Sequence, residues 1–211
     1  MHENELLNNL RFINCKTRND VFLHVDKLAK ELITNWKIVT PKGEHRFLGL
    51  EFYLIIPNLF VDPSTHKRDE QLESGTFYFH SNSKGDWTPP IINRHGVDIT
   101  CGDVKRGIYG GILLRHISGE GHRDGSGLAL RSLVRGDDGF KKIPRGSHDS
   151  KWSEEEKAFL EDMNRKSIFD NEIYLKHCPL LEEVSIAGVE RVNVDDSILE
   201  HYEKLGFRRV Q

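Results

Sequence analysis

The most constraining feature of the sequence is a long apolar stretch that a single carboxylate interrupts. The stretch covers residues 47–56, ends at a proline and contains Glu51 near its middle. We predict that it forms a β-strand, in which Glu51 and Tyr53 share one face while Leu50 and Phe52 share the other. Burying a carboxylate among apolar neighbours is costly unless it has a partner or a function. The alternative is that Glu51 faces solvent from the outer side of the sheet.

Length and composition indicate one globular domain. With 211 residues the chain can bury one core but not two. We therefore predict a single domain over residues 1–211, with residues 1–19 as an N-terminal helical extension. Hydrophobic residues make up 37% and charged residues 30% of the chain, and the mean hydropathy is -0.54. Because no apolar run is long enough to cross a bilayer, we expect no membrane association.

The cysteine pattern and the first residues predict a cytoplasmic protein. The chain begins with a polar, acidic segment that is unlike a secretory signal. Cys15, Cys101 and Cys178 are odd in number and widely spaced, which favours free thiols in a reducing compartment. We expect Cys101, inside a predicted strand, to be a small core residue.

The order of predicted elements indicates an α+β fold. Residues 3–12 have helical spacing, Asp26 is the predicted cap of a second helix, and a capping box at Ser153 opens another. The predicted strands are 36–40, 46–53, 76–80, 97–101, 111–115, 190–194 and 206–210. Together they predict a single domain with a mostly antiparallel, curved β-sheet and flanking helices.

Two long links carry residues of interest. Residues 83–93 contain Trp87 and two prolines, which predict a protruding loop whose tryptophan either acts as a wedge or pins the loop to the core. Residues 118–149 contain seven glycines and one predicted ordered piece at 128–134. Although the net charge is -3, residues 115–148 hold seven basic residues against four acids. That surplus either follows phosphates or belongs to a solvated loop.

Two further groups of residues are candidates for chemistry. Arg115 ends the apolar strand 111–115, where it either pairs with Glu51 or faces solvent. The other group has no spacing typical of metal ligands, so we predict no metal site and no cofactor. Its members are His66, His80, His95, Asp98 and Asp103.

An ordered set of short motifs resembles the alkyladenine (3-methyladenine) DNA glycosylase family. The resemblance covers residues 20–211 and is densest in the helix, turn and strand that lead to Glu-x-Tyr. In chain order the set is Leu28-Ala29-Lys30-Glu31-Leu32, Pro41-Lys42-Gly43, Gly49-Leu50-Glu51-Phe52-Tyr53, His66, Gly75-Thr76-Phe77-Tyr78-Phe79, Leu113-Leu114-Arg115, Arg191-Val192-Asn193-Val194 and Gly206-Phe207-Arg208.

The resemblance implies a reaction and roles for individual residues. Members of this family are single-domain and metal-free, and they flip a damaged nucleotide out of DNA into an aromatic pocket. Glu51 matches the general base that activates water, and Arg115 matches the arginine that helps to hold the glutamate and the water. Tyr53 and His66 match residues that stack on the extruded base, and His80 falls at a third stacking position.

The resemblance also implies contacts with DNA. His95 falls at the intercalating hairpin residue, Asp103 near an asparagine that gates the pocket, and residues 191–194 on a strand whose backbone supports the site. The family's Thr-x-Arg-Asn-x-x-Met-Phe segment is replaced by a shorter charged stretch at 67–74, and His80 and Asp103 would make the base pocket more polar. Together these departures imply a modified base that is larger or more polar than a methylated purine. The predicted phosphate contacts are Lys84, Arg94, Lys105, Arg106, Arg131, Lys141 and Lys142.

The function implied is that of a monomeric, monofunctional DNA glycosylase acting on double-stranded DNA with a damaged or modified base. In a bacterium it would be associated with the nucleoid. The matched core has no lysine to form a Schiff base, so strand cleavage is not expected. Two alternatives remain: a catalytically idle nucleic-acid-binding module of the same fold, and a hydrolase of free nucleosides or nucleotides. The Glu-x-Tyr and Leu-Leu-Arg motifs favour an active enzyme, and the basic stretch favours a polymeric substrate.

Overall fold

A computed structural model describes residues 2–80, 96–119, 125–136, 152–181, 185–189 and 206–210. The fold of these residues is α+β, with four helices and a curled antiparallel half-barrel sheet, which confirms the predicted class at this level. The helices are α1 (His2–Asn9), α2 (Arg18–Asn35), α3 (Ser126–Arg135) and α4 (Glu154–Met163). The strands are β1 (Trp36–Thr40), β2 (Gly43–Ile56), β3 (Phe60–Val61), β4 (Ser74–Phe79), β5 (Val97–Cys101), β6 (Tyr109–Ile117), β7 (Tyr174–His177), β8 (Ser185–Val189) and β9 (Gly206–Val210).

Strand β2 is the centre of the sheet because both of its edges are paired. β6 pairs with one edge over residues 47–55, while β1, β9 and β3 pair with successive parts of the other. Beyond β6 the sheet continues to β5 and β4, and beyond β1 it continues to β7. Because these pairs are antiparallel, residues that directly oppose each other lie on the same face.

A bulge just before Glu51 decides which face that residue occupies. Phe47 and Leu50 both lie in the core although they are three positions apart, because the register between β2 and β6 shifts twice between them. In a regular strand Glu51, four positions from Phe47, would point into the core. The bulge instead puts Leu50 and Phe52 in the core and Glu51 on the opposite face, as the alternation around Glu51 predicted.

Helix α2 packs on the apolar face of the sheet, and its predicted start was wrong. It begins eight residues before Asp26, because the apolar spacing continues back to the buried Val21. Thr17 is the cap: its hydroxyl accepts from the Asp20 N–H at 3.1 Å, and the Asp20 carboxylate accepts from the Thr17 N–H at 2.8 Å. Asp26 lies inside the helix, where it pairs with Lys30 at 2.7 Å.

The residues before α2 belong to the packed domain. Leu6 and Leu10, in and just after α1, are 1% and 0% exposed and join the same core as the sheet. Cys101 is also fully buried there, and burial raises the pKa of its thiol, as expected for a core cysteine. None of the described helices is both long and apolar enough to span a bilayer.

Most of the remaining predicted elements are confirmed. Strands 36–40, 97–101 and 206–210 have the predicted bounds, and the capping box at Ser153 opens α4. The other described strands differ by a few residues at their ends, and the ordered piece 128–134 lies within α3. The predicted strand 190–194 and the loop with Trp87 lie outside the described residues.

Candidate functional site

Glu51 is buried and has two polar partners. Its exposed fraction is 4%, which excludes the alternative that it faces solvent. The Tyr53 hydroxyl donates a hydrogen bond to Glu51 Oε2 at 2.7 Å, and Arg115 Nε lies 3.3 Å from Glu51 Oε1. The structure therefore brings together three of the predicted site residues around one carboxylate. A tyrosine hydroxyl and a guanidinium offset the cost of burying that charge.

Arg115 reaches Glu51 because it is the additional residue that β6 contributes to the bulge. The pairing register of β6 passes directly from His116 to Leu114, and the Arg115 carbonyl accepts instead from the Gly125 N–H at 2.9 Å. Arg115 Nε is buried and makes no linear hydrogen bond with any described residue. The contact with Glu51 is thus an ion pair by distance, in which the guanidinium still has directed donor capacity for a further acceptor.

The polar face extends from Glu51 across four strands. Leu113 on β6 opposes Glu51 on one side and Asp98 on the other, and Asp98 in turn opposes Tyr78 on β4. Leu113, Asp98 and Tyr78 are 6%, 0% and 4% exposed. This face of the sheet is therefore covered rather than open to water, although its chemistry is polar.

A second buried carboxylate, Asp98, lies on this face. Its Oδ1 is 2.9 Å from His80 Nε2, and its Oδ2 accepts from the Gln71 side-chain amide at 3.4 Å. The His80 ring, 8% exposed, lies between the rings of His66 at 4.9 Å and Tyr78 at 4.7 Å. The predicted stacking residues His66 and His80 are thus adjacent, and they contact the group formed by Asp98.

Sequence reasoning considered Asp98 only as a possible metal ligand and missed this group. The available signal was the one that identified Glu51: a lone carboxylate between apolar residues of a strand, here Val97 and Ile99. Its partners Gln71 and His80 are distant in sequence, so the local pattern gave no indication of them.

Tyr78 is a neutral member of this group over the physiological range. Burial raises its pKa to about 12, the nearby Asp98 carboxylate adds to the rise, and Arg68 opposes it. Tyr78 therefore presents a phenol and an aromatic face to His80 without adding a charge.

Four other predicted site residues are described by the structure: Asp103, Lys105, Arg106 and Arg131. Asp103 caps a short 3-10 helix, where its Oδ1 accepts from the Arg106 N–H at 3.0 Å. The Arg106 guanidinium donates to the Ile13 carbonyl, and both Lys105 and Arg106 are exposed. Arg131 in α3 is only 9% exposed, which leaves little surface for a phosphate, and burial lowers its pKa. The predicted site residues outside the described ranges are His95, Lys84, Arg94, Lys141, Lys142 and 191–194.

A cavity of about 480 Å³ lies at the far end of β2. Its lining includes Phe12, Ile56 and Arg106, but neither Glu51 nor Asp98. The buried polar groups with unusual surroundings are on the sheet face instead, so the candidate site is placed there.

Comparison of the chain with models of protein families and with curated proteins gives no match. The resemblance to the alkyladenine DNA glycosylases therefore stays a prediction from the motifs quoted above. Within the described part of the chain, no three His, Cys, Asp or Glu side chains are grouped so that they could hold a metal ion. The prediction of a reaction without a metal is not tested by this observation.

Proposed function

We propose that the chain is a monofunctional DNA glycosylase that hydrolyses the N-glycosidic bond of a damaged or modified nucleotide, with Glu51 as the general base. The observation that carries the proposal is the buried Glu51 carboxylate between Tyr53 and Arg115. Such a group can accept a proton from water and can stabilise positive charge that develops on a sugar. The resemblance supplies the substrate class, since its motifs contain these same three residues.

The reaction assigns a distinct task to each of the three residues. The bond between C1′ and the base nitrogen breaks, and its electron pair leaves with the base. Water attacks C1′ of the oxocarbenium-like sugar while Glu51 accepts its proton. Tyr53 holds one carboxylate oxygen by its hydrogen bond, and Arg115 holds the other oxygen and helps to position the water. The products are the free base and an abasic sugar in an uncut strand.

The test is a base-release assay on single- and double-stranded oligonucleotides that carry a panel of modified bases. Released bases are identified by mass spectrometry. We expect wild-type protein to release at least one base and Glu51→Gln to lose at least about 100-fold in rate, the scale of a general base. Because Gln keeps the shape of the side chain, DNA binding should be retained.

Glu44→Gln is the matched control, because Glu44 lies on the same strand. Glu44 is exposed and pairs with Lys37 and Lys176 at the surface, so this variant should keep wild-type activity. Normal base release by Glu51→Gln would contradict the catalytic assignment. DNA binding without release of any base would favour the idle binding module instead. Hydrolysis of free nucleosides, without any need for DNA, would favour the small-molecule hydrolase.

A further inference from the structure

Two strands away from Glu51, across β6, the same face of the sheet carries the group formed by Asp98, His80 and Gln71. We propose that His80 is the acid of this site, which donates a proton to the base as it leaves, and that Asp98 positions His80. The inference rests on the proposed hydrolysis of an N-glycosidic bond, because a neutral base is a poor leaving group unless it is protonated.

The two groups lie on the same face of the sheet, on either side of strand β6. Glu51 and Asp98 both oppose Leu113, one from each side, so two inter-strand spacings separate their backbones, about 10 Å. A nucleotide placed over β6 would therefore have Glu51 on one side and the group that holds His80 on the other.

Gly111 allows the Asp98 carboxylate to lie close to the Glu51 side of the site. Gly111 directly opposes Tyr53, whose hydroxyl holds Glu51. A Cβ atom added at Gly111 would lie 2.3 Å from Asp98 Oδ2, so the carboxylate occupies the space that any side chain there would need. Asp98 therefore leans over the strand that separates the two groups.

The His80 and Asp98 side chains are close together, but their facing atoms are not hydrogen-bonded. Their Nε2 and Oδ1 atoms are 2.9 Å apart, yet neither atom makes a linear hydrogen bond with any described residue. Both side chains are more than nine-tenths buried. Nearly all buried polar atoms in native proteins have a partner, and exceptions point to a function or to a bound molecule. An imidazole beside a carboxylate is the usual arrangement for controlled proton transfer.

The surroundings leave Asp98 as the anion next to His80. Tyr78, with its pKa raised to about 12, is neutral where the enzyme works. His66 is exposed and its ring is tilted against that of His80, so it lies on the solvent side, from which a proton can return. The titratable and charged groups around the ring are Asp98, Tyr78, His66 and, beyond Tyr78, Arg68 and Glu70.

The proton balance of the reaction closes with these two groups. His80 gives a proton to a ring nitrogen of the base as the C1′–N bond breaks, and the base leaves neutral. Water adds to C1′ and its proton goes to Glu51. Solvent then returns one proton to His80 and removes one from Glu51. A base that already carries a positive charge needs no such donation, so His80 should matter only for neutral bases.

The experiment compares single-turnover base release from two duplexes, one with hypoxanthine as a neutral base and one with N7-methylguanine as a cationic base. We expect His80→Gln and Asp98→Asn to slow release of the neutral base at least about 100-fold and release of the cationic base by less than about 3-fold. His177→Gln, on β7 away from the site, is the matched control.

Each result decides between the two proposals. The role of His80 is overturned if His80→Gln slows the release of both bases equally, or if it leaves the release of the neutral base unchanged. It is also overturned if wild-type protein releases the cationic base alone. If wild type acts on the neutral base alone, release by His80→Gln at a rate within about 3-fold of wild type overturns it. Failure of the proposed function looks different: wild-type protein releases no base, or Glu51→Gln is as active as wild type. Retained activity on the cationic base also shows that the variants are folded.

Discussion

The two faces of strands β2, β6, β5 and β4 are both covered, but they bury opposite kinds of side chain. One face carries Leu50, Phe52, Ile112 and similar residues that pack under α2 and the rest of the core. The other carries two carboxylates, a histidine, an arginine and two tyrosines across the same four strands. Burial alone does not tell the faces apart, since Glu51 and Asp98 are as hidden as their apolar neighbours.

The difference separates a face on which apolar burial stabilises the fold from a face on which buried polar groups are held by a few specific contacts. Apolar burial contributes roughly 25 cal/mol per Å² and has no directional requirement. Buried polar groups contribute little net stability and become costly when a partner is missing. Adjacent residues of one strand therefore have separable roles, and paired substitutions on the two faces test that separation.

The largest contrast in stability is expected between Phe52→Ala and Glu51→Gln on β2. Phe52 is fully buried, so its truncation should cost about 3–5 kcal/mol in the free energy of unfolding. Gln at position 51 keeps an acceptor for the Tyr53 hydroxyl but loses the charge that pairs with Arg115, so its cost should be no more than about 2 kcal/mol. Urea denaturation of both variants measures the difference. Comparable losses would mean that the polar face is as structural as the core.

An intermediate effect is expected from Gly111→Ala on β6. The added methyl group conflicts with Asp98 Oδ2, and overpacking of this kind costs about 1–3 kcal/mol. Because the carboxylate must move, release of a neutral base should fall more than release of a cationic one. Ile112→Val, the adjacent change on the core face, should cost about 0.5–1.5 kcal/mol and leave the ratio of the two rates unchanged. An unchanged ratio in Gly111→Ala would separate Asp98 from the reaction.

The smallest effect at neutral pH is expected from Tyr78→Phe, beside the core residue Phe77 on β4. Neutral Tyr78 contributes stability that is fully present below its ordinary pKa of about 10 and is lost as the pH rises toward 12, its value in the folded chain. Wild type should therefore lose more stability than Tyr78→Phe between about pH 9 and about pH 11. Denaturation curves at the two pH values measure this, and parallel losses would contradict the raised pKa.

Local patterns predicted the parts of the structure that local chemistry decides. Alternation placed Glu51 and Tyr53 together, the Ser153 capping box marked α4, and Cys101 was assigned to the core. The pairing of Arg115 with Glu51 was one of two open alternatives, because a strand end does not show which neighbour it meets.

The rest depended on pairing between distant segments. The bulge that turns Glu51 away from the core arises from the register of β2 against β6. This register cannot be read from the sequence of either strand alone. The contact between His80 and Asp98 joins β5 to the residue that follows β4, and it needs the same register. The start of α2 was misplaced for a different reason: a charged residue with capping chemistry, Asp26, lay inside a helix that continued past it.

The bulge between Phe47 and Leu50 also decides which face of the sheet each later residue of β2 occupies. Residues of β2 alternate between the core face and the polar face, and the additional residue in the bulge shifts this alternation by one position. Loss or gain of one residue in this short interval would exchange the roles of Glu51 and Phe52, whereas a change of two would preserve them. Changes of chain length in this interval are therefore compatible with the observed faces of Glu51 and Phe52 only in steps of two residues.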